Sequence, residues 1–417
     1  MEIQIQCAAI VAAGLLALAP GAQGQSIPGS GRVMIPDSSV EHPGDAGVRS
    51  HTHIQAFVPD GGLPQTGPPV SGLFFETPAS AGCIYGLVSP IVPGCNPNTV
   101  TANPIGGSKA IAIVDAYDDP TAATDLAAFC TQFGLAPANF TVVYASGTQP
   151  AQDPTGGWEL EESLDIEWAH AMAPGAKLYL VEAASNSNAD LFAAVAVANS
   201  LVAAAGGGEI SMSWGGPEFK GQRLFDTLFT QSNVVYFAST GDAPGVGYPA
   251  TSPNVVAAGG TTINRNTATG AVLTETPWDL AGGGVSALES RPTYQNGIAS
   301  IVGGARGVPD VSFDSNPTTG VYILSSTPVN GQGGPGAWWI VGGTSVASPS
   351  LAGIVNSAGH FAASTAAELT TVYNNMSNGA DFRDITYGYC GPYAGYFTKA
   401  GWDFCTGVGS DIGKQGK

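Results

Sequence analysis

Strand-like and helix-like segments alternate along the chain between residues 108 and 258. The first, 109–114, is a short apolar run typical of a buried strand, and a helical pattern over 121–133 follows it. The alternation continues through 141–144, 158–172, 176–181, 190–205, 210–214, 223–231, 234–238 and 255–258. This order predicts an α/β fold with three layers, in which helices cover both faces of a mainly parallel β-sheet. Active sites in such folds lie at the carboxyl ends of the strands.

A glycine-rich stretch, Gly342-Gly343-Thr344-Ser345, leads into an apolar run of small residues with helical character. We predict that Ser345 lies on a sharp turn, which glycine makes possible, at the N-terminus of a helix. Backbone N–H groups and the positive end of the helix dipole would then face an oxyanion formed at this serine. The alternative is that the serine serves only as an N-cap.

A nucleophilic serine needs a base, and two kinds of base are available in the chain. A histidine base would be His170, with Asp115 at the end of the first strand as its acid, but His170 lacks a glycine-rich flank. A carboxylate base is offered by Glu161 and Asp165, which are four positions apart and therefore share one face of the predicted helix 158–172. Such a pair shares protons and titrates as a coupled unit, which provides a base that works in acid.

The charge balance excludes some classes of partner. The chain has 13 Lys and Arg against 32 Asp and Glu, a formal net charge of −19 at pH 7. So acidic a chain is a poor candidate for binding nucleic acids or anionic membranes. It would lose much of this charge in acid, which suits a protein that works at low pH. We expect a monomer.

Three regions divide the 417 residues. Residues 1–24 are predicted to be a signal peptide, because an apolar run too short to span a bilayer precedes an Ala-x-Gly cleavage site. The protein is therefore expected to be secreted. Residues 25–105 have weak periodicity and predict an N-terminal arm or a short prosegment, and 106–417 form the main domain. His51 and His53 of the arm could bind a metal, but a histidine pair without nearby carboxylates more often has no such role.

Six cysteines are present, one of them inside the predicted signal peptide. Among the rest, Cys83 with Cys95 and Cys390 with Cys405 are natural local pairs that would close short loops. Cys130 lies in an apolar helical pattern, so we expect it to be a buried free thiol.

Four blocks of sequence resemble, in order, those of the sedolisins, which are serine-carboxyl peptidases. The blocks are Glu161-x-x-x-Asp165 with Ala173-Pro174-Gly175-Ala176, then Ser211-x-Ser213-Trp214-Gly215, then Ser239-Thr240-Gly241-Asp242 with Tyr248-Pro249-Ala250, and Gly343-Thr344-Ser345. The resemblance covers about residues 107–412 and implies a subtilisin-like fold. It implies these roles: Ser345 as nucleophile, Glu161 as general base, Asp165 as the residue that orients Glu161, and Asp242 as the side chain of the oxyanion hole. A carboxylic acid can donate to an oxyanion only while protonated, which again requires acid.

A protein or peptide substrate is expected to bind as an added strand alongside the backbone of Ser213, Trp214 and Gly215. The segments Asp384-Ile385-Thr386 and Gly401-Trp402-Asp403 also resemble the calcium loop of the family. The resemblance implies one structural Ca²⁺, held by the carboxylates of Asp384 and Asp403 and the carbonyls of Ile385, Lys399 and Gly401. The alternative is that the two aspartates only form turns. Segment 25–105 is too short for the large folded prodomain that sedolisins normally carry.

These features predict a secreted, acid-active serine-carboxyl endopeptidase that forms an acyl-enzyme at Ser345. One alternative is a catalytically silent secreted binding or adhesion protein on the same fold. That protein would be expected to lose a member of the catalytic set, and here all four are present. The other alternative is a subtilisin-type enzyme that uses Asp115 and His170.

Overall fold

The computed structural model describes residues 30–64, 66–70, 73–88, 96–266, 269, 271–391 and 396–417. The predicted signal peptide, 1–24, lies outside these ranges, as does Cys95. The strands, in chain order, are β1 (Gly31–Met34), β2 (His51–Thr52), β3 (Gln55–Pro59), β4 (Ala110–Ala116), β5 (Asn139–Tyr144), β6 (Lys177–Ala183), β7 (Gly208–Met212), β8 (Trp214–Pro217), β9 (Val234–Ser239), β10 (Gly247–Tyr248), β11 (Val256–Arg265), β12 (Val272–Pro277), β13 (Gly284–Ser290), β14 (Ala305–Val308), β15 (Val311–Asp314), β16 (Val321–Ser325), β17 (Ala337–Gly342), β18 (Phe382–Arg383), β19 (Tyr389–Cys390), β20 (Tyr396–Phe397) and β21 (Ser410–Asp411).

The α-helices are α1 (Pro78–Ile84), α2 (Ala122–Phe133), α3 (Gly157–Met172), α4 (Asn188–Ala204), α5 (Ala299–Val302), α6 (Ala347–Ala358) and α7 (Thr365–Asn375). Short 3-10 helices occupy Asp37–Ser39, Gln222–Leu224, Asp226–Phe229 and Thr293–Ile298. Within the ranges that the structure describes, no helix is both long enough and apolar enough to cross a membrane.

A large, mainly parallel sheet forms the centre of the protein. Its strand order is β18-β21-β15-β11-β9-β7-β4-β6-β5, with β12 paired to β11. Neighbouring strands from β5 to β21 run parallel, whereas β12 and β18 are antiparallel to their neighbours. The predicted α/β class with a mainly parallel sheet is therefore confirmed.

Helices cover this sheet on both faces, as the alternation along β4 shows. Ile111 and Ile113 belong to the same apolar cluster as side chains of α3 and α6. Ala112 and Val114 belong to a second cluster, together with side chains of α4. Because side chains of a strand point alternately to opposite faces, the two clusters lie on opposite sides of the sheet and complete the three layers.

The described part of the predicted N-terminal arm is built into the domain. Strands β1 and β3 form an antiparallel sheet with β17 and β16, in the order β1-β3-β17-β16. Ile54, Ala56 and Phe57 are buried in the main apolar cluster. Strand β2 pairs separately with β8, whose other edge pairs with β10. Through β3, the arm is therefore paired with β17, the strand that leads to Ser345.

The cysteines occupy three different environments. Cys390 and Cys405 form a disulfide bond across the C-terminal loop. Cys130 is buried and free, and burial raises the pKa of its thiol to about 11. Cys83 is disulfide-bonded, and Cys95, the partner predicted for it, lies outside the described residues.

Candidate active site

Strand β17 positions Ser345 at the end of a tight turn. Gly343 has φ 102°, a left-handed conformation that favours glycine, and α6 begins two residues after the serine. A Cβ at position 343 would lie 2.6 Å from Asp242 Oδ2 and still closer to the His53 carbonyl oxygen, so no side chain fits there. Ser345 is fully buried, and its hydroxyl donates to the carbonyl of Ser213 at 3.2 Å.

Helix α3 brings two carboxyl groups to this serine. Glu161 and Asp165 lie one turn apart on α3, and both are fully buried. Neither oxygen of Glu161 accepts a hydrogen bond from the described residues. Burial raises the pKa of Glu161 well above its ordinary value, and the charges of Asp165 and Asp115 add to this. The nearby Ser345 hydroxyl opposes the shift, since it favours the ionised carboxylate.

Asp165 is held by Ser213. The Ser213 hydroxyl donates to Asp165 Oδ1 at 2.8 Å. Burial is the main cause that raises the pKa of Asp165, and the charge of Asp115 raises it further. The hydrogen bond from Ser213 and the neighbouring Glu161 side chain lower it. Asp115, at the end of β4, is itself buried, which raises its pKa to about 8. Because these three acids are buried together and coupled, they share protons and do not all ionise at once.

Asp242 follows β9 and reaches the nucleophile turn. Its Oδ1 accepts hydrogen bonds from the N–H and the hydroxyl of Thr344. Its Oδ2 is buried and has no partner among the described residues. Burial raises the pKa of Asp242 to about 8, so this side chain carries a proton in acid. The unpartnered oxygen can therefore donate that proton to an oxyanion beside Ser345.

The turn region also contains His53, which sequence reasoning placed in an arm without function. Its N–H lies 3.2 Å from both the Ser213 carbonyl oxygen and Ser345 Oγ, and its carbonyl accepts from the Ser345 N–H at 3.1 Å. Its ring Nδ1 is 2.6 Å from Ser239 Oγ, and burial lowers the pKa of the ring to about 3. His51 contacts Asp45 at 3.0 Å instead, so the two histidines have different partners.

The strand edge predicted to receive substrate is paired in this structure. Strand β2 pairs antiparallel with β8, with His51 opposite Gly215 and Thr52 opposite Trp214. The Trp214 ring is buried and donates to the Val114 carbonyl at 2.6 Å, so this side chain anchors the strand. Beside the pair lies an open cavity of about 540 Å³, whose walls include His53, Asp242 and glycines of both flanking loops.

The histidine base considered for a subtilisin-type enzyme is engaged elsewhere. His170 Nε2 lies 2.8 Å from the Ala136 carbonyl oxygen, and burial lowers the pKa of its ring. No described hydrogen bond joins His170 to Ser345 or to Asp115. The groups that meet at the serine are carboxyls.

The residues predicted to bind calcium come together in two neighbouring loops. Asp384 Oδ2 accepts from the Gly401 N–H at 2.9 Å. Asp403 Oδ2 accepts from the Lys399 N–H at 3.1 Å, and its Oδ1 accepts from the N–H of Cys405 at 2.9 Å. Ile385, the residue after Asp384, has a buried side chain. Across the described ranges, no group of three or more His, Cys, Asp or Glu side chains is placed to hold a metal ion.

Comparison with known proteins places these observations in a family. No family model matches the chain. It is 30% identical over 353 residues to kumamolisin from Bacillus sp. (strain MN-32), covering 74% of the chain and 59% of the relative. It is 28% identical over 336 residues to sedolisin from Pseudomonas sp. (strain 101), covering 70% and 54%. The chain thus spans just over half the length of these curated relatives.

A solved structure gives the same answer for the fold. The Pseudomonas sedolisin, a serine-carboxyl proteinase complexed with two molecules of pseudo-iodotyrostatin, superposes with a TM-score of 0.65 at 25% identity. The match covers 81% of this chain and 95% of the solved one. In sequence the chain is similar to the sedolisins, and it has a subtilisin-like fold.

Proposed function

We propose that this protein is a serine-type endopeptidase that forms an acyl-enzyme at Ser345. The observation that carries the proposal is the meeting of Ser345, Glu161, Asp165 and Asp242, which come from the turn after β17, from α3 and from the loop after β9. A nucleophile, a base and an oxyanion donor in mutual reach are the parts that acyl transfer needs.

Each group has a distinct task in the proposed reaction. Glu161 takes the proton of the Ser345 hydroxyl as the oxygen attacks a peptide carbonyl, and later gives it to the leaving amine. Asp165, fixed by the Ser213 hydroxyl, orients Glu161. The Ser345 N–H and the protonated Asp242 stabilise the oxyanion. Water then hydrolyses the acyl-enzyme.

Activity in acid follows from the protonation states. Burial raises the pKa of Asp242 to about 8, so this group remains a hydrogen-bond donor in acid and at neutral pH. The coupled Glu161 and Asp165 pair must be partly ionised for Glu161 to act as a base. The rate is therefore bounded on the acid side by protonation of this pair and on the alkaline side by ionisation of Asp242.

The competing proposal is a catalytically silent binding or adhesion protein on the same fold. The test compares the wild type with Ser345→Ala on a denatured protein at about pH 3–5. Loss of the nucleophile is expected to lower turnover by at least about 10⁴-fold. Ser350→Ala is the matched control, because this buried hydroxyl on α6 has no partner among the described residues. Equal turnover in the wild type and Ser345→Ala would leave the silent protein as the better account.

We also propose that the protein is secreted. The support is the predicted signal peptide, 1–24, and a composition with many more acidic than basic residues. The expected mature N-terminus lies after Gly24 or further along the chain. Expression of the full chain with N-terminal sequencing of the protein in the medium tests this, and an intact Met1 inside the cell would contradict it.

Finally, we propose that the C-terminal loops bind one Ca²⁺. Asp384 and Asp403 offer carboxylate oxygens, and Ile385, Lys399 and Gly401 offer carbonyls, an oxygen-only donor set that suits this hard cation. The contact from Asp384 to Gly401 joins the two loops, and the contact from Asp403 to Lys399 lies within the second of them. The ion would stabilise the fold, because these loops contribute no group to the candidate active site.

A further inference from the structure

Residues 51–53 cross the candidate active site as an antiparallel strand. The pairs His51–Gly215 and Thr52–Trp214 continue with a hydrogen bond from the His53 N–H to the Ser213 carbonyl at 3.2 Å. Addition of an extended segment to a free strand edge is a common way in which proteins bind peptides. The segment therefore occupies the edge of β8 at which a substrate of the proposed endopeptidase is expected to bind.

The carbonyl group of His53 is placed at the nucleophile. Its oxygen accepts a hydrogen bond from the Ser345 N–H at 3.1 Å, and the amide of the same residue lies 3.2 Å from Ser345 Oγ. Both this carbonyl oxygen and Asp242 Oδ2 face the empty side of Gly343, where no side chain fits. A carbonyl between a serine hydroxyl and two oxyanion donors has the position that a scissile carbonyl requires.

The ring of His53 fills a specific recess beside the serine. Its Nδ1 is 2.6 Å from Ser239 Oγ, and a Cβ on Gly215 would lie 3.0 Å from its Cε1. Burial lowers the pKa of this ring to about 3, so the imidazole stays neutral over most of the acid range. The recess thus accepts a flat, neutral ring that can form one polar contact.

We infer that His53–Ile54 is a peptide bond that this protein cleaves in its own chain, an inference that rests on the proposed endopeptidase function. Ser345 Oγ attacks the His53 carbonyl carbon, the bond to the Ile54 nitrogen breaks, and the serine proton passes through Glu161 to that nitrogen. One water molecule then hydrolyses the ester, which restores the Ser345 hydroxyl. The products are a new carboxyl group at His53 and a new α-amino group at Ile54.

The two sides of this bond are anchored differently. After the bond, β3 pairs with β17 through Ala56 and Gln55, and Ile54 is fully buried, so the new N-terminus stays in the domain. Before it, β2 is a strand of only two residues on the edge of β8, and β1 of the same segment pairs with β3 over four residues. Departure of the segment that ends at His53 therefore requires β1 to leave β3 as well, and would open the cleft to other peptides. The same recess predicts a preference for substrates with a flat, neutral ring at the residue that forms the acyl-enzyme.

The test follows the full chain by intact mass and N-terminal sequencing during incubation at about pH 4–5. A new N-terminus at Ile54 is expected, with a first-order rate that does not change on tenfold dilution, because the segment already lies in the cleft. Ser345→Ala is expected to remain uncut at this bond. A cut at His53–Ile54 in Ser345→Ala, a different first cut in the wild type, or a rate proportional to protein concentration each overturns the inference.

A pair of variants tests the recess. His53→Lys is expected to slow the cut by about tenfold or more, because a long cation replaces a neutral ring that contacts Ser239 and packs against Gly215. His42→Lys, the same change at an exposed histidine of the same segment, is expected to cut at the wild-type rate. Equal rates for the two variants would contradict the assignment.

The assay on denatured protein runs in parallel on the same samples. If the wild type degrades that substrate in a Ser345-dependent way but keeps its own His53–Ile54 bond, the inference fails and the proposed function stands. If neither substrate nor chain is cut, both fail.

Discussion

Asp242 and Thr344 are joined by two hydrogen bonds, because Asp242 Oδ1 accepts from the Thr344 N–H at 2.7 Å and from its hydroxyl at 3.0 Å. The two bonds tie the loop after β9 to the turn that presents Ser345. Both bonds use Oδ1 of Asp242, and its Oδ2 is buried without a partner among the described residues. Two segments about a hundred residues apart in sequence thus build the proposed oxyanion site.

The first prediction concerns the alkaline limit of activity. Asp242 donates only while protonated, and its pKa is raised to about 8, so activity is expected to fall as the pH rises through this value. Asp242→Asn keeps a donor that does not ionise, so the alkaline limb of the pH profile should shift to higher pH, and part of the rate should be retained. Asp242→Ala removes the donor and should lower kcat by about 10²–10³-fold. The measurement is kcat against pH, and an unchanged alkaline limb in Asp242→Asn would contradict the assignment.

The second prediction concerns Ser213, whose backbone and side chain have separate tasks. Its hydroxyl donates to Asp165 and so lowers the pKa of that acid, whereas its carbonyl accepts a hydrogen bond from the N–H of His53. Ser213→Ala should therefore raise the pKa of the catalytic pair and move the acid limb of kcat to higher pH, with KM little changed. Ser211→Ala is the control, because its hydroxyl lies 2.8 Å from Ser348 Oγ and, among the described residues, is not bonded to Asp165. A change in KM alone would indicate a binding role for the hydroxyl.

Much of the candidate site could be predicted because its groups follow strands or lie on one helix face. The spacing of Glu161 and Asp165 on α3 is enough to predict a carboxyl pair. The glycines before Ser345 predict its turn, and Asp242 follows a buried strand. Parallel strands bring their carboxyl ends to one edge, so local patterns predict that these groups lie near one another, whereas the role of Asp242 is implied by the family resemblance.

The role of His53 could not be predicted in this way. Its position depends on pairing with Ser213, 160 residues later, and on contact with Ser345, 292 residues later. Strand β2 has only two residues, too few for a period of two to show. The segment 223–231, where the alternation predicts one helix, contains two short 3-10 helices instead, and the Asp226 side chain accepts a hydrogen bond from Ser252 in a neighbouring loop.

The third prediction concerns stability against pH. Burial raises the pKa of Glu159 to about 8 and, helped by the charge of Asp118, that of Glu182 to about 9. Unfolding returns these acids to their ordinary pKa of about 4.3. Their contribution to stability is complete below about pH 4 and is lost as the pH rises towards the raised values, because the folded state then holds more protons.

The melting temperature of Ser345→Ala, which is expected not to cut itself, should therefore fall between about pH 5 and pH 9. Glu182→Gln in the same background should make this decline shallower, since an amide does not titrate. Glu41→Gln, at an exposed position, should leave it unchanged. A melting temperature that rises across this range would show that the buried acids do not control stability.

The last prediction concerns calcium in the C-terminal loops. A bound ion favours the folded state by mass action, by about 2.7 kcal/mol at a hundredfold excess over its dissociation constant. Ser345→Ala should therefore melt at a higher temperature with calcium than with a chelator at about pH 7–8, because burial raises the pKa of Asp403 to about 6 and a carboxylate must be ionised to bind the ion. Asp384→Ala should abolish the difference, because its carboxylate reaches Gly401 across the two loops. Asp60→Ala, at an exposed position after β3, is the control and should keep the full difference. Equal melting temperatures with calcium and chelator would mean that Asp384 and Asp403 only shape the loops, since their oxygens already accept backbone N–H groups.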